Sequence, residues 1–171
     1  RTGAREAASA LALFGERLDG RRAAELGLAW RAVPGDQVLE AAYELFSTRG
    51  IRAVGIDAIV ERSGVARMSL YRHFGSKDEL VLAFLEQRDE RWTRGWLQAE
   101  VAERADKPAD RLLAVFDVFD GWFRTDGFEG CSFINVMLEG AGGTEPWQRA
   151  SVAYLAGIRR FLEDLAREAG I

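Results

Sequence analysis

The chain contains one cysteine, one histidine, two methionines and three prolines in 171 residues. A lone thiol, Cys131, excludes an internal disulfide and any thiolate-rich metal site, and it fits a reducing, cytoplasmic setting in which Cys131 is a buried structural residue. With His73 as the only imidazole, no Cys–His pair and no zinc-ligand spacing can be assembled from neighbouring motifs. No run approaches the roughly 18 apolar residues of a membrane span, and the N-terminus lacks the charged-then-apolar layout of a secretory leader. The chain starts at Arg1 rather than methionine, which points to a start inside a longer reading frame. No metal or other cofactor is implied.

What is present is a helical pattern. Apolar residues make up 48% of the chain and aromatics 11%, enough for a folded core. The prolines, at 34, 108 and 146, punctuate apolar stripes of helical period, and no stretch alternates with period two. Residues 37–49 place Val38, Ala42, Leu45 and Phe46 on one face, with Gly50 to end the helix. Ile56, Ile59 and Val60 mark a second short helix closed by Gly64, and Asp57 lies in its first turn. Ala66 to Phe74 reads as a third, with Leu70 and Phe74 inward and Arg67, Ser69 and Arg72 outward. Ser76 and Glu79 form a capping-box pattern that opens a fourth, running through Leu80, Phe84, Leu85, Arg88, Trp92 and Trp96. Further helices are predicted near 109–124, 131–139 and 146–169, with glycine-rich loops at 127–130 and 140–143. The fold class is all-α.

Net charge is −4, which argues against nonspecific coating of nucleic acid. Yet the stretch Arg62 to Lys77 carries Arg62, Arg67, Arg72, Lys77 and His73 with no acidic residue. Cations on a short helix behind a tight turn suggest insertion into a DNA major groove.

The run VLEAAYELFSTRGIRAVGIDAIVERSGVARMSLYRHFGSKDELVLAF, Val38 to Phe84, closely resembles the N-terminal domain of tetracycline-repressor-like (TetR-type) transcriptional regulators. It joins A-A-x-x-L-F, the glycine after helix 1, I-x-x-I-V-x-x-S-G-V, S-L-Y-R-H-F and S-K-D-E-L at uninterrupted spacing. The resemblance implies a three-helix helix-turn-helix domain over 37–83 and a helical effector-binding and dimerisation domain over 84–171, missing its last helices. It further implies a homodimer, a palindromic double-stranded operator, a small hydrophobic effector and no enzymatic activity. If Ile171 is the true end, the dimer interface is incomplete.

By the same resemblance, Ala66, Arg67, Met68, Ser69, Tyr71, Arg72 and His73 occupy recognition positions. Arg67 and Arg72 suit bidentate pairing with guanine edges, while Tyr71, His73 and Lys77 suit phosphates. Tyr71 and His73 have a second reading, as packing residues inside the three-helix unit. Val54 and Gly55 stand where many relatives carry hydroxyl residues that cap helix 2 and touch phosphate. The aromatic lining expected of an effector pocket is Trp92, Trp96, Phe116, Phe119, Trp122, Phe123, Phe133, Met137, Trp147 and Tyr154, with Asn135 and Glu139 as polar anchors.

Residues 1–36 do not resemble a regulator's arm. Leu11 to Pro34, LALFGERLDGRRAAELGLAWRAVP, instead resembles a late segment of crotonase-fold (enoyl-CoA hydratase and isomerase) enzymes, with Asp19, Ala23, Ala24, Gly27, Leu28 and Pro34 in step. The catalytic residues of that fold lie upstream of such a segment, so the leader reads as a structural helix pair or a fusion remnant. Two other functions stay open at this point: an interaction module that has lost DNA binding, and a fragment of a bifunctional acyl-CoA enzyme–regulator fusion.

Overall fold

The computed structural model describes residues 34–140 and 145–171, and every regular element among them is helical. The crotonase-like segment lies outside the described residues apart from Pro34, which with Gly35 and Asp36 opens the first helix. In chain order the elements are α1 (Pro34–Arg49), α2 (Ile56–Ser63), α3 (Arg67–His73) and α4 (Lys77–Arg88). A π-helical segment (Asp89–Leu97) follows, then α5 (Gln98–Arg104), α6 (Pro108–Phe123), α7 (Ser132–Glu139) and α8 (Pro146–Glu168).

Local chemistry sets most of these boundaries. Ser76 Oγ accepts the Glu79 N–H at 3.1 Å and caps α4. The reciprocal arm of the predicted capping box is displaced by one residue, because the Glu79 carboxylate accepts from Gly75 N at 3.0 Å rather than from Ser76. At α2 the missing hydroxyl has the expected consequence: Gly55 is the N-cap and supplies no side-chain bond, while Val54 is buried in the core.

The larger core joins the first three helices to the rest. Val38, Leu45, Phe46, Ile59 and Leu70 pack with Leu80, Val81, Phe84 and Leu85 of α4, with Phe133 and Val136 of α7, and with Trp147 of α8. Phe84, fully buried, meets Tyr43 and Phe46 edge-on with centroids 5.5 Å apart in both cases. A buried phenylalanine of this kind is worth about 3–5 kcal/mol against alanine. A smaller core collects Leu97, Val101, Val115, Val118 and Leu165 at the far end of the bundle.

Polar ties reinforce the seam between α1 and the following long helix. Glu40 of α1 forms an ion pair with Arg91, and Arg91 also lies 4.9 Å over the Tyr43 ring. Arg88 Nη1 donates to the Tyr43 hydroxyl at 2.9 Å. The Arg91 hydrogen bond holds the Glu40 carboxyl below its ordinary range.

The π-helical segment and α5 are the elements that the apolar spacing did not predict. The wider turn of the former has a clear steric signature at Gly95, where a Cβ would lie 2.8 Å from the Glu90 carbonyl oxygen. Gly95→Ala therefore lowers stability by about 1 kcal/mol or more, the scale of a forced backbone shift. Gly157→Ala in α8, where the added carbon would meet only Arg160 Nη2 at 3.7 Å, raises stability by about 0.5–1 kcal/mol. Urea unfolding of the two variants checks this, and equal gains in both would contradict the π-helical register.

Candidate functional site

The surface formed by α2 and α3 is built around one anchor. Gly64 takes φ +67°, the left-handed turn that lets the chain leave α2 sharply, and its N–H donates to Val60 O at 3.0 Å. Ala66 then caps α3, accepting from Ser69 N and Leu70 N at 2.8 and 3.1 Å. Leu70 is fully buried, and this fixes the rotation of the helix. The other face is presented outward: Ala66, Arg67, Met68, Tyr71, Arg72 and His73 are exposed and Ser69 is half-buried. Met68 and Tyr71 remain 73% and 43% exposed. Tyr71 and His73 are both exposed, and the His73 ring lies against α1, where a Cβ on Gly35 would meet it at 3.4 Å.

Acidic side chains from earlier helices compensate part of the local basic excess. Arg62 pairs with Glu44 of α1, Nη2 to Oε2 at 2.6 Å. Arg67 pairs with Asp57 of α2. Arg72 makes no ion pair with a described residue. Lys77 is half-buried and donates to the Ile51 carbonyl at 2.5 Å, which occupies one of its three N–H donors. Burial pushes the Lys77 pKa down, against the pull of Glu139 and Asp78. A phosphate contact by Lys77, which its place in the motif suggests, would have to use the remaining N–H donors.

A cavity of about 440 Å³ opens between the π-helical segment, α5, α6 and the loop after α6. Its walls include Trp92, Trp96, Glu100, Arg104, Val118, Trp122, Thr125 and Glu129, with Ser47, Arg88 and Ser132. Trp92 and Trp122 lie 4.7 Å apart, and Trp92 and Trp96 5.5 Å. The Trp92 Nε1 and Ser47 Oγ atoms are buried without a hydrogen-bond partner in these walls.

Only part of the expected aromatic lining meets here. Trp92, Trp96 and Trp122 do; Phe119 backs Trp92 with centroids 5.9 Å apart and packs on the smaller core. Phe116 and Phe123 point outward, 70% and 55% exposed, because Ala114, Val115 and Val118 form the inward face of α6. Phe133 and Trp147 belong to the larger core, and Tyr154 stacks on Phe133 at 5.3 Å. Met137 offers its carbonyl to Gln148 Nε2 at 2.9 Å, and Asn135 donates to Glu129 O at 3.1 Å on the exposed side of α7. Glu139 lies outside the tryptophan-lined cavity: it reaches the turn after α1, in the wall of a second cavity of about 400 Å³ that Asn135 also lines. Arg88 was legible, since it falls four residues after Phe84 and four before Trp92 on one helical face. Ser47 was not, because its place in the wall depends on how α1 packs.

Among the described residues no group of His, Cys, Asp and Glu could hold a metal ion, and no helix is long and apolar enough to cross a membrane.

A helix-turn-helix with an outward-facing third helix, joined to a helical body with an indole-lined cavity, is the architecture of a class of transcriptional regulators. Residues 38–84 match the profile of bacterial regulatory proteins of the tetR family. A TetR-family transcriptional regulator from Streptomyces coelicolor superposes with a TM-score of 0.70 at 30% identity, covering 81% of this chain and 72% of that one. The chain is 40% identical over 116 residues to the HTH-type transcriptional activator FasR of Mycolicibacterium smegmatis, which is 68% of this chain and 50% of FasR. It is also 40% identical over 80 residues to an HTH-type transcriptional repressor of Mycobacterium tuberculosis, 45% of this chain and 43% of that protein. The chain belongs to the TetR family, whose members are transcriptional regulators and not enzymes. It spans about half the length of the curated relatives it matches. These likenesses give the crotonase-like reading of the first 36 residues no support.

Asp57 restrains Arg67 and adds a negative charge beside the recognition helix. Asp57→Asn removes both effects and raises affinity for a mixed-sequence duplex at low salt by roughly two- to fivefold, the scale of an exposed ion pair. Fluorescence anisotropy across a salt series measures it, and unchanged affinity would place Arg67 outside the DNA interface.

Proposed function

We propose that this chain is a ligand-responsive repressor that binds a palindromic operator as a cytoplasmic homodimer and is released by a small hydrophobic effector. In this reading residues 37–83 form the DNA-binding domain and 84–171 the effector and dimerisation domain. The observation that carries the proposal is the outward face of α3, held in one rotation by buried Leu70 and lined by Arg67, Met68, Tyr71, Arg72 and His73. A guanidinium there can donate two hydrogen bonds to guanine N7 and O6. Arg72 is the better placed, since Arg67 must first leave Asp57. Ala66 and Ser69 flank them, close enough to the backbone of α3 to admit a groove edge. Two such helices about 34 Å apart would meet successive half-sites, hence the dimer.

The effector site is the cavity between Trp92, Trp96 and Trp122. Indole walls favour a flat apolar body, and the Arg88 guanidinium, which donates to the Tyr43 hydroxyl, suits a polar end group with its remaining N–H donors. Regulation requires the effector to bind one arrangement of the helices better than another, since equal affinity shifts nothing. The relatives named above include both an activator and a repressor.

Selection from a randomised duplex pool tests the DNA half of the proposal. A palindromic consensus should emerge, and Arg67→Ala and Arg72→Ala should each cost about 1–3 kcal/mol on it; recovery of no consensus refutes operator binding. Titration of 1-anilinonaphthalene-8-sulfonate tests the other half. Quenching of tryptophan emission accompanied by weaker duplex binding supports an effector site, whereas quenching with duplex affinity unaltered removes the regulatory role.

A further inference from the structure

We propose that Glu139 is the positioning residue that fixes the helix-turn-helix unit against the cavity-bearing helices, and so sets affinity for two half-sites at once. Glu139 ends α7, where the helix dipole disfavours a negative charge. Its carboxylate leaves that helix for the turn after α1. Oε1 accepts from Ile51 N at 3.1 Å and Oε2 from Arg52 N at 2.7 Å, two consecutive backbone donors on one carboxylate. Charge-assisted bonds of this kind are the strong ones.

The site has been given room. Gly50, at φ +80°, ends α1 in the left-handed conformation, and a Cβ on it would lie 2.6 Å from Glu139 Oε1. Ile51 is held from its other side as well: its carbonyl accepts from Lys77 Nζ at 2.5 Å, and its side chain is buried. One peptide of the turn is therefore clasped by α7 through its N–H and by the first residue of α4 through its C=O. Lys77 is four residues past His73, the last residue of the recognition helix. The clasp thus reaches both ends of the DNA-reading unit.

The other end of α7 stands in the cavity wall at Ser132. A helix of eight residues, about 12 Å long, connects cavity and clasp directly. Displacement of α7 by a cavity occupant would pull on Ile51 and Arg52 without passing through α4. The inference rests on the DNA-binding reading above.

The test uses the full chain and Glu139→Gln, with two readouts. Hydrogen exchange of the Ile51 and Arg52 amides should accelerate about tenfold or more when the charged acceptor is lost. Affinity for a palindromic duplex should fall roughly fivefold or more, with a single half-site bound within about twofold of wild type, because orientation matters only when two helices must engage together. A loss of fold would weaken both duplexes alike. Glu139→Asp, one methylene shorter, should give intermediate exchange and affinity, and it decides the matter if the glutamine variant unfolds. Unchanged exchange at both amides overturns the clasp, and so does accelerated exchange with palindrome affinity retained. A wild-type chain that selects no duplex overturns the DNA-binding reading instead, and the exchange rates, which involve no DNA, tell the two failures apart.

Discussion

Burial of the inward face of α4 is the constraint on which the rest of this structure depends. Leu80, Val81, Phe84 and Leu85 occupy adjacent positions over one and a half helical turns, and all are buried. On one side they complete the three-helix unit that presents α3, and on the other they pack against α7 and α8. A three-helix unit of this size has little apolar surface of its own, and it gains stability by sharing a core with its neighbours. The sharing also has a functional consequence. A helix that belongs to two packing groups cannot rotate in one without disturbing the other.

Charge is arranged differently from apolar surface. The stretch from Arg62 to Lys77 has no acid in sequence, yet in space Glu44, Asp57 and the Ile51 carbonyl take up three of its cations. Arg72, Tyr71 and His73 stay exposed. The pairing tempers the positive potential of α3, in keeping with a chain of net charge −4.

Most helices were legible because each carries a local apolar period, and their observed ends fall within a few residues of the expected ones; α5, too short to show a stripe, was not. Leu70 and Phe74 followed from their spacing of four, and the uncapped start of α2 from Gly55. The π-helical segment was not legible, since a widened turn keeps Trp92 and Trp96 near one another and leaves only Gly95 as a trace. The cavity was half legible. An aromatic stripe states which residues are large and apolar, but burial divides them, sending Phe133 and Trp147 to the core and Phe116 outward. Glu139 and Ser47 were placed only by tertiary packing, across separations that no local pattern encodes.

If one core unites the DNA-reading helices with the cavity-bearing ones, they must open together. Native-state hydrogen exchange across a denaturant series measures this directly, using the amides of Leu45, Leu70, Phe84 and Phe133 as reporters. The account predicts that all four merge into a single global opening as denaturant rises. Exchange of Leu45 and Leu70 through an independent opening, well below that of Phe84 and Phe133, would contradict it.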